Sequence, residues 1–355
     1  MTPSPDHPRR LRLFTGLVAF LFATPSAVAA QNYRLDLPLD SPHASVSQDV
    51  ALATFSVEYH RPGVNGRVVF GGLVPWDSVW RAGANENTVF TATSPFTFGG
   101  RALPAGRYGV FMIPGHSEWT VILSRMSTAW GAFSYDRAED AVRVTASPKA
   151  AGFTERLQYA FEDPTETAVT LTMRWDKVAV SVPVTIDRAT VVLDSLKSQL
   201  RTLPRFWGTA WAQAGAWALT NTENVDLAET WADTAVALAP TFASYNLKAA
   251  VLARRGRTAE ADSLRQAHLG SASEAQLNAY GYQLLNERRN QEALAIFIRN
   301  TREHPDSWNV WDSLGEAYAV TGDKAKAITN YRKALAMTTD PAQKRRIEGI
   351  LAGLQ

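Results

Sequence analysis

A pattern near the C-terminus constrains this 355-residue chain more than any other feature. Trp311, Leu314, Gly315, Tyr318, Gly322, Ala327, Tyr331 and Ala334 form a spaced set of aromatic, small and aliphatic residues. Roughly 34 residues earlier, Leu277, Tyr280, Gly281, Leu284, Ala293, Phe297 and Pro305 stand at matching offsets. Tyr245, Ala249, Leu252, Gly256 and Ala261 repeat the set more loosely, and one unit further back only Leu219, Ala228, Ala235 and Pro240 keep the register. The residue types follow from helix packing: small side chains stand where paired helices touch, aromatics fill the gaps, and proline ends a helix. Units of this size cannot bury their apolar faces alone, so they must stack.

The pattern resembles the tetratricopeptide repeat over about residues 209–340, with Pro341–Gln355 as a polar capping helix. The resemblance implies a right-handed superhelix whose concave surface takes a protein or peptide partner. The alternative is that the helices only buttress the rest of the chain or dimerise.

Upstream the periodicity is different. Ala51–Tyr59, Thr88–Thr93, Tyr108–Ile113, Trp119–Leu123, Val142–Ala146, Arg156–Phe161, Ala168–Trp175 and Val178–Ile186 are short runs rich in β-branched and aromatic residues. Gly, Pro and Asn punctuate them, as at Phe98-Gly99-Gly100-Arg101 and in the hairpin sequence Pro114–Glu118. Such spacing predicts an antiparallel β-sandwich or small barrel. Near Asp187 the period becomes helical, with Val192, Leu196, Leu200 and Leu203. The expected fold is therefore multidomain α and β: an antiparallel β-sandwich or barrel over residues 31–187, then an α-helical tetratricopeptide-type solenoid over residues 188–355.

Residues 1–30 read as a cleaved signal peptide. Arg9, Arg10 and Arg12 precede an apolar run from Leu13 to Ala23, and Ala27-Val28-Ala29-Ala30 offers a cleavage site. The run is too short for the roughly 20 residues that span a bilayer, and no later stretch is apolar enough. An uncleaved anchor is the rival reading. Cleavage leaves 33 of 36 basic and 33 of 34 acidic side chains. A mature chain of zero net charge gives no footprint for nucleic acid. The absence of cysteine excludes a lipoprotein anchor, disulfides and thiol chemistry. The expected location is periplasmic or secreted.

The segment Tyr59–Thr88 is the most unusual part of the β half, with Pro, Gly and Asn interleaved among three Arg and two Trp. Arg61, Arg67 and Arg81 are forked donors suited to carboxylate or phosphate. Trp76 and Trp80 offer flat stacking faces, Asn85 an amide, and Glu86 a carboxylate near Asp77. These residues are the candidate ligand-binding set. The competing reading has Arg61 and Arg81 paired with Glu58, Asp77 or Glu86, and both Trp rings in the core.

Tyr59–Pro62, Gly66-Arg67, Phe70–Pro75, Val79–Glu86, Leu103–Tyr108 and Trp119–Ile122, in that order, resemble a bacterial family known only as domain of unknown function 2911. The likeness runs from about Ser45 to Ile186. It implies an exported β-rich domain, in some members followed by tetratricopeptide-like repeats, and it brings no reaction, cofactor or ligand. His60 departs from the small residue usual there.

Catalytic signatures are lacking. The histidines of the mature chain show no metal-ligand spacing, no Gly-x-Ser-x-Gly elbow occurs, and the Gly pairs lack a following Lys-Ser/Thr. Asp77 with Glu86 is a weak candidate pair for glycoside chemistry. The sequence predicts no cofactor, metal or catalytic residue. It points to an interaction scaffold with a protein or peptide partner on the repeats and a small-molecule or envelope ligand on the β domain. The alternatives are an enzyme acting on a sugar or acyl substrate at the Arg/Trp loop, and a structural envelope protein.

Overall fold

The computed structural model describes residues 37–354. The expected signal peptide lies outside them.

The β half holds strands β1 (His43–Val50), β2 (Ala53–His60), β3 (Thr88–Ala92), β4 (Phe96–Phe98), β5 (Arg101–Leu103), β6 (Gly106–Ile113), β7 (Trp119–Ser124), β8 (Asp140–Ala146), β9 (Lys149–Glu162) and β10 (Ala168–Thr185). They form a six-stranded sheet, β1-β2-β3-β6-β7-β8, and a four-stranded sheet, β5-β4-β10-β9. All pairings between these strands are antiparallel. Neither sheet closes on itself, so the sandwich is the alternative realised and the barrel is not. In β2, Ala53, Phe55, Val57 and Tyr59 are buried and alternate with half-buried Thr54, Ser56 and Glu58, as a sheet with one core face requires. Phe55, Phe90 and Phe98 share one core with Trp119 and Trp175, all fully buried. Each such ring stabilises the fold by roughly 1.5–3 kcal/mol relative to exposure.

Three strands go beyond the sequence reading. β1 is a polar edge strand that pairs along its whole length with β2, while β4 and β5 have three residues each and are too short for a periodic signal. Gly99 and Gly100 join them with φ of 55° and 80°, conformations glycine adopts without penalty. The runs Ala168–Trp175 and Val178–Ile186 form one strand rather than two. Asp176, at φ 54°, sits at a register shift between them, so the polar interruption is a bulge and not a turn.

The helical half comprises α1 (Arg188–Gln199), α2 (Gly208–Asn221), α3 (Val225–Leu238), α4 (Phe242–Arg254), α5 (Thr258–His268), α6 (Glu274–Asn286), α7 (Asn290–Glu303), α8 (Trp308–Val320), α9 (Lys324–Met337) and α10 (Pro341–Leu354). The Asp187 side chain caps α1 by accepting from the Ala189 and Thr190 amides. Val191 of α1 belongs to the β core, whereas Leu193 and Leu196 pack with α2 and α3 residues. The connection between the halves is thus a packed helix.

Helices α2–α9 form successive pairs, and the repeat logic is visible at three positions. Gly215, Ala249, Gly281 and Gly315 occupy one of them; β-carbons on Gly281 and Gly315 would meet the Phe297 and Tyr331 rings at 2.6 Å and 3.0 Å. Ala228, Ala261, Ala293 and Ala327 occupy the second and are all fully buried. Ala232, Arg265, Phe297 and Tyr331 occupy the third. Gly215 shows that the first unit keeps more of the register than Leu219, Ala228, Ala235 and Pro240 revealed. No helix among the described residues is long and apolar enough to cross a membrane.

A polar cleft on the β domain and a groove in the repeats

The Tyr59–Thr88 segment forms isolated bridges rather than regular strands, and most of its polar groups serve the loop itself. The Arg61 amide donates to Pro42 O (2.9 Å) and its Nε to Leu157 O (3.0 Å), anchoring the loop to β9. Arg67 donates Nε to Val64 O (3.1 Å) and Nη2 to Gly63 O (2.6 Å), closing its own turn. Trp76 lies 4.5 Å from the His116 ring and 6.3 Å from Phe70. Trp80 stacks on Trp175 at 5.7 Å and donates Nε1 to Gly83 O. Its backbone pairs with Met112, beyond the end of β3. Arg81 donates Nη1 to Asn85 O (3.0 Å) and places its guanidinium 5.3 Å from the Trp130 ring. Asn85, at φ 54°, donates Nδ2 to Ser41 O.

The competing reading therefore holds for Trp80, but neither Arg61 nor Arg81 makes a direct ion pair with Glu58, Asp77 or Glu86. Their donors go to backbone carbonyls instead. Asp77 and Glu86 do not form a pair: the Asp77 amide bonds to Pro114 O on the β6–β7 hairpin, whereas Glu86 contacts His60. The structure gathers Arg81, Asn85 and Glu86 at one end of the loop and leaves Arg67 and Trp76 elsewhere.

Of the seven candidates, Glu86 lines a cleft whose walls include none of the other six. This cavity of about 290 Å³ is walled by residues that include His43, Glu58, His60, Glu86, Asn87 and Arg107. It lies on the outer face of the six-stranded sheet, because Glu58 and His60 alternate with the core residues Val57 and Tyr59. Ser127, Thr128 and Ala129 close one side, and Asn87 N–H donates to Ala129 O at 3.0 Å. Gly109 makes this closure possible, since a β-carbon there would collide with Met126 O and approach Asn87 Nδ2. Asn87 is 5% exposed; its Nδ2 donates to Met126 O, but its Oδ1 has no hydrogen-bond partner.

Charge in the cleft is balanced locally. Arg107 Nη2 stands 3.4 Å from Glu58 Oε2. His60 Nδ1 stands 3.4 Å from Glu86 Oε2, whose side chain is 63% exposed. Burial lowers the His60 pKa; Glu86 opposes the shift and His43 adds to it. Burial also lowers that of Arg81, with Glu86 opposing, although a guanidinium stays charged at neutral pH. Among the described residues no group of three or more His, Asp or Glu is arranged to hold a metal ion.

The helical half has its own concavity. A groove of about 420 Å³ separates α2 from α4, lined by small residues such as Ala212, Ala216, Ala243 and Ala250 and by the amides of Gln213 and Asn246. Asn246 Oδ1 accepts from Arg265 Nε at 2.8 Å.

The fold defines a two-part protein, an open antiparallel β-sandwich joined to a tetratricopeptide-type helical array. Residues 41–184, the sandwich, match the profile of the family described as protein of unknown function (DUF2911). Solved structures resemble the helical half. PilF of Pseudomonas aeruginosa is 19% identical, covering 42% of this chain and 76% of its own with a TM-score of 0.31. TTC0263, a thermophilic TPR protein of Thermus thermophilus, is 19% identical, covering 46% and 91% with a TM-score of 0.33. YrrB, described as a TPR protein with an unusual peptide-binding site, is 19% identical, covering 46% and 84% with a TM-score of 0.30. A search of curated proteins finds no match.

Proposed function

We propose that this protein is an exported interaction scaffold, periplasmic or secreted, that seats a peptide segment of a partner protein in the groove between α2 and α4. Its β domain holds a small-molecule or envelope ligand. The observation that carries the reading is the groove itself: small Ala side chains let a chain approach the helices, and Gln213 and Asn246 supply amides that pair with a peptide backbone. The N-terminal Arg-rich, apolar and Ala-rich segments support export.

The test is affinity recovery from envelope extract, with the chain from Gln31 as bait beside its Ala216→Glu variant. A protein recovered by the native bait and lost with the variant supports the scaffold. Recovery unaffected by Ala216→Glu, or no recovery at all, removes the groove from the function. Fractionation of cells carrying the full chain tests export, and a purely cytoplasmic product would end that part of the reading.

A second reading, an enzyme acting on a sugar or acyl substrate, draws on the approach of Glu86 to His60. The absence of turnover of any sugar or acyl ester by the native chain would dismiss it, and turnover that survives Glu86→Gln would remove Glu86 from the chemistry.

A further inference from the structure

The cleft on the outer sheet face has three properties that together select a ligand chemistry. Its walls are rich in hydrogen-bond acceptors. Asn87 Oδ1 is buried without a partner, and the Glu86 carboxylate meets only His60 among the described residues. Glu58 keeps acceptor capacity beyond its single 3.4 Å approach to Arg107. A buried acceptor left unpaired costs free energy, whereas the exposed Glu86 carboxylate is open to a donating ligand.

The second property is charge. Glu58 stands against Arg107, and Arg81 lies near enough to Glu86 to feel its field. Neither sign dominates, so the cleft favours a neutral ligand over an ammonium or a carboxylate.

The third is the rim. Trp130 pairs through its backbone with Glu86 and follows Ala129 of the cleft wall. Its ring is 60% exposed and stacks at 6.0 Å and 14° on Phe133, which is 86% exposed. Two large aromatics held parallel in solvent beside a polar cleft are unusual for a surface with no binding role. The loop holding them is pinned at its far end, where Tyr135 OH and Arg143 both donate to Asp140 Oδ2. The Arg81 guanidinium lies 5.3 Å from the Trp130 ring, so Phe133 offers the open apolar face, which beside acceptor groups matches a pyranose ring, whose C–H face packs on aromatics while its hydroxyl edge donates. At about 290 Å³ the cavity lies just below the pocket range of about 300–1,000 Å³, which fits one ring rather than a long chain.

We propose that the cleft walled by Glu58, Glu86 and Asn87, with Trp130 and Phe133 at its rim, binds a single residue of a neutral, hydroxyl-rich sugar. This rests on the reading of the β domain as a ligand-binding domain and specifies what it binds.

The test is calorimetric titration of the chain from Gln31 with maltose, cellobiose and N,N′-diacetylchitobiose, alongside glucosamine as a cation and glucuronate as an anion. Saturable binding of at least one neutral sugar, roughly tenfold or more tighter than either charged probe, is expected. Phe133→Ala and Glu86→Gln should each weaken it roughly tenfold or more with thermal melting unchanged, and Phe206→Ala, at an exposed aromatic outside the cleft, should leave it intact. Binding of a charged probe alone overturns the sugar assignment while leaving a ligand-binding β domain. Binding that ignores both cleft variants also overturns it. No saturable binding by any probe up to about 10 mM overturns the sugar site and the ligand-binding reading together, and leaves the repeat groove to be judged by its own test.

Discussion

Gly281 of α6 lies directly beneath the Phe297 ring of α7, so close that a β-carbon would stand 2.6 Å from the ring. Alanine is normally the better helix residue by about 1 kcal/mol, but here it overpacks the joint between paired helices. We expect Gly281→Ala to destabilise the protein by about 1–3 kcal/mol. Gly349→Ala in α10, where nothing lies within 4 Å of the new β-carbon, should stabilise it by about 0.5–1 kcal/mol. Urea midpoints of the two variants check the pair, and equal responses would contradict the packing account.

Arg265 is 2% exposed at the repeat position that Phe297 and Tyr331 fill elsewhere. It donates to Asn246, stands 3.4 Å from Asp262 and lies 5.7 Å from the Tyr280 ring. Asp262 also pairs with Arg289 at 2.9 Å, so losing Arg265 would not leave it alone. Arg265→Phe should therefore keep or raise the melting temperature, whereas Arg265→Ala should lower stability by roughly 2–3 kcal/mol through the cavity it leaves. Thermal melts decide this, and a collapse of the Phe variant would show that the charge itself is required.

His60 gives the β domain a pH dependence. Its folded pKa is depressed, chiefly by burial, so the unfolded chain takes up the proton first as pH falls. The contribution is fully present above the unfolded value of about 6.5 and is lost as pH falls through the folded value. The urea midpoint of the native chain should drop as pH falls below about 6.5, and His60→Gln should drop less. Parallel drops would assign the effect to other groups.

Gly109→Ala should open the cleft without unfolding the sheet. The new β-carbon would strike Met126 O, so the Arg125–Asp136 loop must lift and break the hydrogen bond from Asn87 Nδ2 to Met126 O. Amide exchange should rise across residues 125–136 while β7 and β8 stay protected. Unchanged exchange in that loop would refute the account.

Much of this arrangement was legible residue by residue. The alternation of Ala53, Phe55, Val57 and Tyr59 announces β2, and the spacing of Gly281, Ala293 and Phe297 announces a helix pair, because both signals are local and periodic. β1 was hidden by its polar edge composition, β4 and β5 by their brevity, and the continuity of β10 by the bulge at Asp176. The candidate site was less legible. The clustering of Arg, Trp, Asn and Glu in Tyr59–Thr88 marks the segment that carries Glu86, yet Arg61, Arg67 and Trp80 hold that segment together. His43, Arg107, Asn87 and Thr128 carried no signal, since each is ordinary within its own stretch of chain.

Sequence alone determined the two halves, the helical register and the change of period near Asp187, since each depends on residues within one or two turns or strands of one another. Tertiary structure alone decided that Glu86 faces this cleft while Arg67 and Trp76 are not among its walls, and that Trp130 is bridged through its backbone to Glu86. The cleft joins β1, β2, β3, β6 and the loop after β7 across an antiparallel sheet, and pairing between strands that are distant in the chain leaves no periodic trace in any one of them.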